Sequence, residues 1–353
     1  MQPFVFKGLP ARVVFGRGTL ARLPAELERM GRRRALVLST PQQVDQAERV
    51  QALIGDRAAG LFTDATMHTP VEVTERALAV AAETEADCTV AIGGGSTTGL
   101  GKAIALRTGL DQIVIPTTYA GSEMTDILGQ TEDGVKTTLR SPAVQPEVVI
   151  YDVDLTLTLP RGLTGTSGMN AIAHAVEALY AEDRNPVIVL MAEEGIRALG
   201  GALPRLMAAP DDRDARGDAL YGAWLCGIAL GSSAMALHHK LCHTLGGTFD
   251  LPHAETHAIV LPHAAAYNAP AAPEAMMRVA RALSATDAPE ALHALAQRLD
   301  APKSLRELGM PEAGIDAAAD LAVKSPYANP RPIERAAIRA LIARAWAGEP
   351  PAP

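Results

Sequence analysis

Cysteine and aromatic residues are scarce in this sequence: three Cys in 353 residues, with Phe, Trp and Tyr together at 4%. Cys88, Cys226 and Cys242 lie far apart, with no CxxC or other paired metal-binding spacing. That excludes a disulfide framework and fits a reducing cytoplasm. Positive charge is also short. Lys plus Arg number 32 against 40 Asp plus Glu, for a formal charge of -8 and a pI near 5.6, so no phosphate-neutralising surface for nucleic acid is expected. The first residues, MQPFVFKGLPARVVFGRG, lack the basic region, apolar run and cleavage site of a signal peptide and read as mature sequence. Only one long uncharged run stands out, the 19 residues from Ala219 to Leu237. It approaches the ~20 residues that span a bilayer. Its Ala, Gly and Ser content predicts a buried helix in an all-helical core instead of a membrane span.

Apolar residues at 48% and charged residues at 20% describe a globular chain long enough for two domains. Between residues 33 and 118, strand-like runs (RALVLST, AGLFT, CTVAIGGGS, QIVIPTT) alternate with helical ones near 43–54, 71–84 and 97–107. This alternation predicts a parallel sheet covered on both faces. GQTEDGVKTTLR (129–140) carries an Asp-Gly hairpin signal, and EVVIYDV (147–153) reads as a last strand. Beyond residue 157 the segments are Ala- and Leu-rich with helical spacing. The expected organisation is an α/β dinucleotide-binding domain over 1–157 and an all-α substrate domain over 158–353. The cleft between them is the default place for chemistry.

Two features could carry that chemistry. Gly93, Gly94, Gly95 and Ser96 end a strand and open a helix. Such a turn brings free amides and a positive helix end to a pyrophosphate, with Ser96 a candidate cap. A ligand-free tight turn is the plainer alternative, since the run is neither GxGxxG nor a P-loop. Thr117 and Thr118 follow the next strand, where open parallel sheets bind ligands. After the first strand, Ser39, Thr40 and Pro41 stand where an acidic residue would select an unphosphorylated ribose. Nothing there discriminates NADH from NADPH.

Histidine is the second feature. Asn170 and His174 share a helical face at i and i+4, as do His239 and His243, and His253 follows in DLPHAET. His174, His239 and His253 could hold zinc or ferrous iron, or could form an anion-binding and acid/base pocket without metal. Each taken alone could equally be a buried structural imidazole. His238, His257 and His263 are assigned to structure or surface. In KSPYANPRP, Tyr327 could donate a proton or pack on a helix.

These residues sit in VFGRG, GGGSTTGLGKAIAL, IPTTYAGSEMT, GMNAIAHAVEALYA, HxxxHxLGG (239–247) and LPHAETHAIVLPH. Over nearly the whole length, the chain resembles the iron-containing alcohol dehydrogenase family, and within it the maleylacetate reductase branch. The resemblance implies a Rossmann-like α/β domain followed by a helical domain, assembled as a homodimer. Metal-dependent members carry GMDAxxH and GGGSxxDxxK; here Asn170 and Gly99 replace the two Asp, while Lys102 is kept. Losing the only anionic ligand weakens the hold on a divalent cation, so no metal is expected.

The resemblance further implies reduction of the enone C=C of maleylacetate, and of a 2-chloro analogue, to 3-oxoadipate by NADH or NADPH in aromatic degradation. By position, Gly94, Gly95 and Ser96 would hold the pyrophosphate, Ser39, Thr117, Thr118 and Leu128 would line the cofactor path, and Lys136 would reach a ribose. His174, His239, Asn170 and Lys240 would bind substrate, with His243, Tyr327 and His253 catalytic. The rivals are a metal-dependent alcohol dehydrogenase and a lyase of the dehydroquinate synthase type that uses NAD transiently. A nucleotide-binding protein without catalysis is a third.

Overall fold

Short apolar runs separated by helical ones build the first half of the chain, in a computed structural model that describes residues 4, 6, 8, 11–324 and 327–352, without the side chains of Val135 and Lys136. The elements run β1 (Arg12–Gly16), α1 (Leu23–Arg29), β2 (Ala35–Leu38), α2 (Val44–Ile54), β3 (Ala58–Phe62), α3 (Val71–Glu83), β4 (Cys88–Gly93), α4 (Gly95–Thr108), β5 (Asp111–Pro116), β6 (Ile127–Glu132), β7 (Val135–Arg140) and β8 (Val148–Asp152). Six strands form one parallel sheet in the order β1-β8-β5-β4-β2-β3. Alternate residues of each strand face opposite helical layers. Ala35 and Val37 join Leu23, Leu27, Val50 and Ile54 of α1 and α2, while Leu36 and Leu38 join Val73, Ala77, Leu100 and Ile104 of α3 and α4. That is why these strands are apolar at every position.

The hairpin forms as expected, β6 pairing antiparallel with β7 through Asp133 and Gly134, both at positive φ. Strand β1 was not foreseen, because RVVFG is short and precedes the alternating region. Ser96 does not cap α4, which starts one residue earlier, after Gly94, and has no side-chain cap.

The chain divides into two compact units, one over Gly8–Leu159 and one from Pro160 onward. In the second, α5 (Arg161–Tyr180) is buried at every position from Thr164 to Tyr180. It is enclosed by α6 (Pro186–Ala208), α7 (Arg213–Ser232) and α9 (His253–Asn268). Between the last two lies α8 (Leu237–Phe249), and α10 (Pro273–Ala282), α11 (Ala288–Arg298), α12 (Gly314–Lys324) and α13 (Arg335–Ala347) complete the unit. Leu241, Leu245, Val260, Ile315, Ile338 and Ile342 form its core between α8, α9, α12 and α13.

The uncharged run from Ala219 to Leu237 is not one helix. It breaks after Ser232, and α7 and α8 meet at 93°. Carboxylates take the amides at the break: Ala234 donates to Asp183, and Ala236 and His238 donate to Glu177. No single helix among the described residues is long and apolar enough to cross a membrane.

Lys102, on α4, is fully buried. Its Nζ donates to the carbonyls of Ser122 (2.6 Å), Thr125 (2.7 Å) and Ile127 (2.9 Å) and to the Thr125 hydroxyl (2.9 Å). Burial pushes the ammonium down to about 7, against the pull of Glu123 and Asp126. The side chain therefore ties α4 to the segment that leads into β6. A Lys102→Met variant strands these buried acceptors and should lose about 3 kcal/mol of stability. Denaturant midpoints compared with the parent protein measure that loss; an unchanged midpoint would sink the tie.

Candidate active site

The turn from β4 into α4 is built to let something approach its backbone. At Gly93 a Cβ would lie 2.5 Å from Thr97 Oγ1 and 2.7 Å from Gln43 Oε1, and at Gly94 one would lie 3.0 Å from Thr118 Cγ2. Gly93 also sits at φ +151, which disfavours any side chain. The first amides of α4 meet no side-chain cap, and the buried Thr97 hydroxyl has no hydrogen-bond partner among the described residues. This cradle of small residues, uncapped amides and an orphaned hydroxyl fits a pyrophosphate.

Thr117 and Thr118 stand beside it. Thr117 is buried and accepts from Gln43 Nε2 at 2.9 Å, while its amide donates to Gly93 O. Ser39 is buried at the end of β2, its hydroxyl turned to Thr40 O. Leu128 packs with Ala103 and Val144 in a small apolar cluster and is 1% exposed, so its place is in the core and not along an open path. The side chain of Lys136 lies outside the described residues. Gly99 is buried within α4, and a Cβ there would run into the Thr69 hydroxyl.

In the helical unit six imidazoles form one connected cluster. His174 stacks on His239 (centroids 5.1 Å apart), His239 meets His238 (5.1 Å), His257 (5.0 Å) and His243 (6.2 Å), and His253 touches His257 (4.2 Å) and His243 (6.5 Å). Helices α5, α8 and α9 each contribute. His238 and His257 belong inside this cluster: His238 Nε2 and His257 Nδ1 share a buried 2.9 Å hydrogen bond. The cluster and the turn before it hold polar atoms with no hydrogen-bond partner among the described residues: Asn170 Oδ1, His174 Nδ1, His238 Nδ1, His239 Nε2 and His257 Nε2. Buried atoms of this kind are costly unless a ligand meets them. Burial pushes His174, His238 and His257 well below the usual imidazole range, and repulsion from neighbouring histidines adds to it.

One carboxylate serves the cluster, and the sequence reading missed it. Glu177 is fully buried, three residues beyond His174 on α5. Its Oε2 lies 2.6 Å from His239 Nδ1 and accepts from Ala236 N at 2.9 Å. Oε1 accepts from His238 N at 2.8 Å and from the Tyr180 hydroxyl at 3.2 Å. Burial alone would raise its pKa, but the bond and charge interaction with His239 and the two amides outweigh it and hold the carboxyl below its ordinary value. The signal lay in the sequence: a lone Glu in AIAHAVEALYA, otherwise uncharged.

Tyr327 reaches the edge of the cluster. Its hydroxyl is buried without a hydrogen-bond partner among the described residues, while its ring packs on the core of the unit and lies 5.9 Å from Lys240 Nζ. Burial, then the charge on Glu177, raise its pKa, so the phenol keeps its proton. Asn329 anchors the loop, accepting from Leu237 N and donating to Asn268 Oδ1 and Arg331 O. A cavity of about 580 Å³ opens here, lined by Tyr327, Ala236 and Asn329 among others. Of the sequence candidates, the structure thus brings together Asn170, His174, His239, His243 and His253, with Lys240 and Tyr327 beside each other.

Against the metal-dependent pattern, the donor set lacks the anionic ligand at position 170. Position 170 offers a neutral amide, and the one buried carboxylate is committed to His239 and two backbone amides. His238, Cys242 and His257 offer three ligand atoms within 4.8 Å of one another. Two of those atoms already bond each other, and burial pushes the Cys242 thiol well up, so it stays protonated.

Comparison with known proteins agrees with this architecture. Residues 10–153 match the iron-containing alcohol dehydrogenase family, and residues 164–346 match the Fe-containing alcohol dehydrogenase family, C-terminal. Maleylacetate reductase of Burkholderia cepacia is 60% identical over 99% of this chain and 100% of its own length. The crystal structure of maleylacetate reductase from Rhizobium sp. strain MTP-10005 is 58% identical with a TM-score of 0.96, covering 99% of this chain and 100% of that one. The one from Agrobacterium tumefaciens is 57% identical, also at a TM-score of 0.96 and with the same coverage. The chain belongs to the iron-containing alcohol dehydrogenase family, and within it to the maleylacetate reductase branch.

Proposed function

We propose that the chain is an NAD(P)H-dependent maleylacetate reductase that works without a metal. The observation that carries this reading is the imidazole cluster with Asn170 one turn before His174 on α5, where buried polar atoms stand without a hydrogen-bond partner among the described residues. Identity of about 60% over the full length to a reductase of that name supports the substrate.

Bound at the glycine turn, the reduced nicotinamide would supply a hydride to C2 of maleylacetate, the alkene carbon β to the ketone. Gly94, Gly95 and Ser96 would hold its pyrophosphate against the first turn of α4, with Thr117 and Thr118 alongside. Charge then passes through the C3–C4 bond to the ketone oxygen as an enolate. Hydrogen-bond donors stabilise such a delocalised anion, so a Lewis acid is dispensable. Asn170, His174 and His253 bind the two carboxylates and the ketone beside His239, and Lys240 supplies a nearby positive charge. Tyr327, whose phenol keeps its proton, donates to the enolate oxygen. His243, the exposed imidazole of the cluster, delivers the proton to C3. One hydride and one proton give 3-oxoadipate and oxidised cofactor. With Ser39, Thr40 and Pro41 after β2, no carboxylate repels a 2'-phosphate, so NADH and NADPH both serve. Function in the cytoplasm as a homodimer completes the proposal.

Two experiments test it. Protein stripped by a chelator and assayed without added metal should oxidise NADH with maleylacetate at the rate of untreated protein. Activity that returned only with zinc or iron would put the ion back into the reaction. Separately, His243→Ala and Tyr327→Phe should each lower kcat by about 100-fold. A variant that kept full turnover would remove that residue from the mechanism.

A further inference from the structure

We infer that Glu177 is a positioning residue for this reaction: it fixes the tautomer of His239, so that Nε2 is the ring atom offered to the substrate. The inference rests on the cluster being the substrate site of the reductase, and its consequences begin with hydrogen-bond bookkeeping. An ionised carboxylate has no proton to give and can only accept. At 2.6 Å from Glu177 Oε2, His239 Nδ1 must therefore be the donor and carry the proton. In the neutral ring the lone pair is then on Nε2, the buried atom with no hydrogen-bond partner among the described residues. Nε2 is left as the one ring nitrogen able to bind substrate or exchange a proton with it.

The same carboxylate fixes where that atom points. Oε2 also takes Ala236 N and Oε1 takes His238 N, the amides at the start of α8, the helix that carries His239. The Tyr180 hydroxyl takes a further Oε1 site. With a longer contact from His239 N at 3.4 Å, five donors surround one carboxylate, and ring orientation, ring tautomer and helix start are set by a single group. His174 Nδ1 and Asn170 Oδ1, from the helix that carries Glu177, are also without a hydrogen-bond partner among the described residues. A single side chain on α5 therefore aligns α8 with the pocket face of α5.

The test reads the proton directly. In full-length protein labelled with 15N-histidine, imidazole correlation spectra should show His239, assigned by the signal lost in His239→Gln, as the Nδ1–H form. In Glu177→Ala no acceptor is left for Nδ1–H, so the ring should lose its fixed Nδ1–H form and kcat with maleylacetate should fall roughly 10- to 100-fold, with KM changing less. Glu177→Asp should keep the Nδ1–H form. Tyr180→Phe removes another bond to the same carboxylate without touching His239, and should leave the tautomer as it was. An Nε2–H ring in the parent protein overturns the inference outright and needs no variant that folds. So does an unchanged His239 signal in a folded Glu177→Ala protein, or a Tyr180→Phe protein that loses the Nδ1–H form as well. A parent protein with the Nδ1–H form that loses it in Glu177→Ala but never turns over maleylacetate would uphold the positioning role and overturn the substrate.

Discussion

A buried carboxylate must be hydrogen-bonded several times over to persist, and in the helical unit that requirement falls on Glu177. Its donors come from three places: the neighbouring turn of its own helix, the amides that end the uncharged run, and a histidine ring. The break between α7 and α8 follows from it. Left to its composition, the run from Ala219 to Leu237 would continue as one buried helix. With Ala236 N and His238 N taken by Glu177, and Ala234 N by Asp183, the chain turns through 93° and α8 starts with its histidines facing α5. A polar group in the core thus sets the direction of the helix that carries much of the site.

The electrostatics of the cluster follow the same constraint. Six imidazoles form one connected cluster beside a buried carboxylate, and desolvation pushes His174, His238 and His257 towards the neutral form. Position 170 adds a neutral amide to this set, and Glu177 is already bonded to His239 and to backbone amides.

The nucleotide-type unit was legible in the sequence because its signals are local. Strands covered on both faces are apolar at every position, as RALVLST and CTVAIGGGS are, and Asp-Gly between extended runs marks a hairpin. What stayed hidden depends on partners distant in sequence. β1 exists because Arg12–Gly16 pairs with Val148–Asp152, more than a hundred residues on. His238 and His257 looked structural because their bond joins two helices, and no helical periodicity links positions 19 apart. The uncharged run was read as continuous because composition does not register a carboxylate waiting on another helix. Glu177 carries no spacing signal of its own, because its donors come mostly from α8, some sixty residues on.

The two departures from the metal-dependent pattern also become physical statements. At position 99 an aspartate has no room: Thr69, itself buried and held at positive φ, places its hydroxyl where the Cβ would go. The loss of that carboxylate is therefore built into the packing between α4 and the loop that leads into α3. At position 170 the replacement keeps the shape of the side chain and removes its charge, leaving Oδ1 buried and without a hydrogen-bond partner among the described residues. An amide oxygen in that setting still accepts a hydrogen bond, and its nitrogen still donates one. The position has lost the charge that would neutralise a cation and kept the capacity to hydrogen-bond.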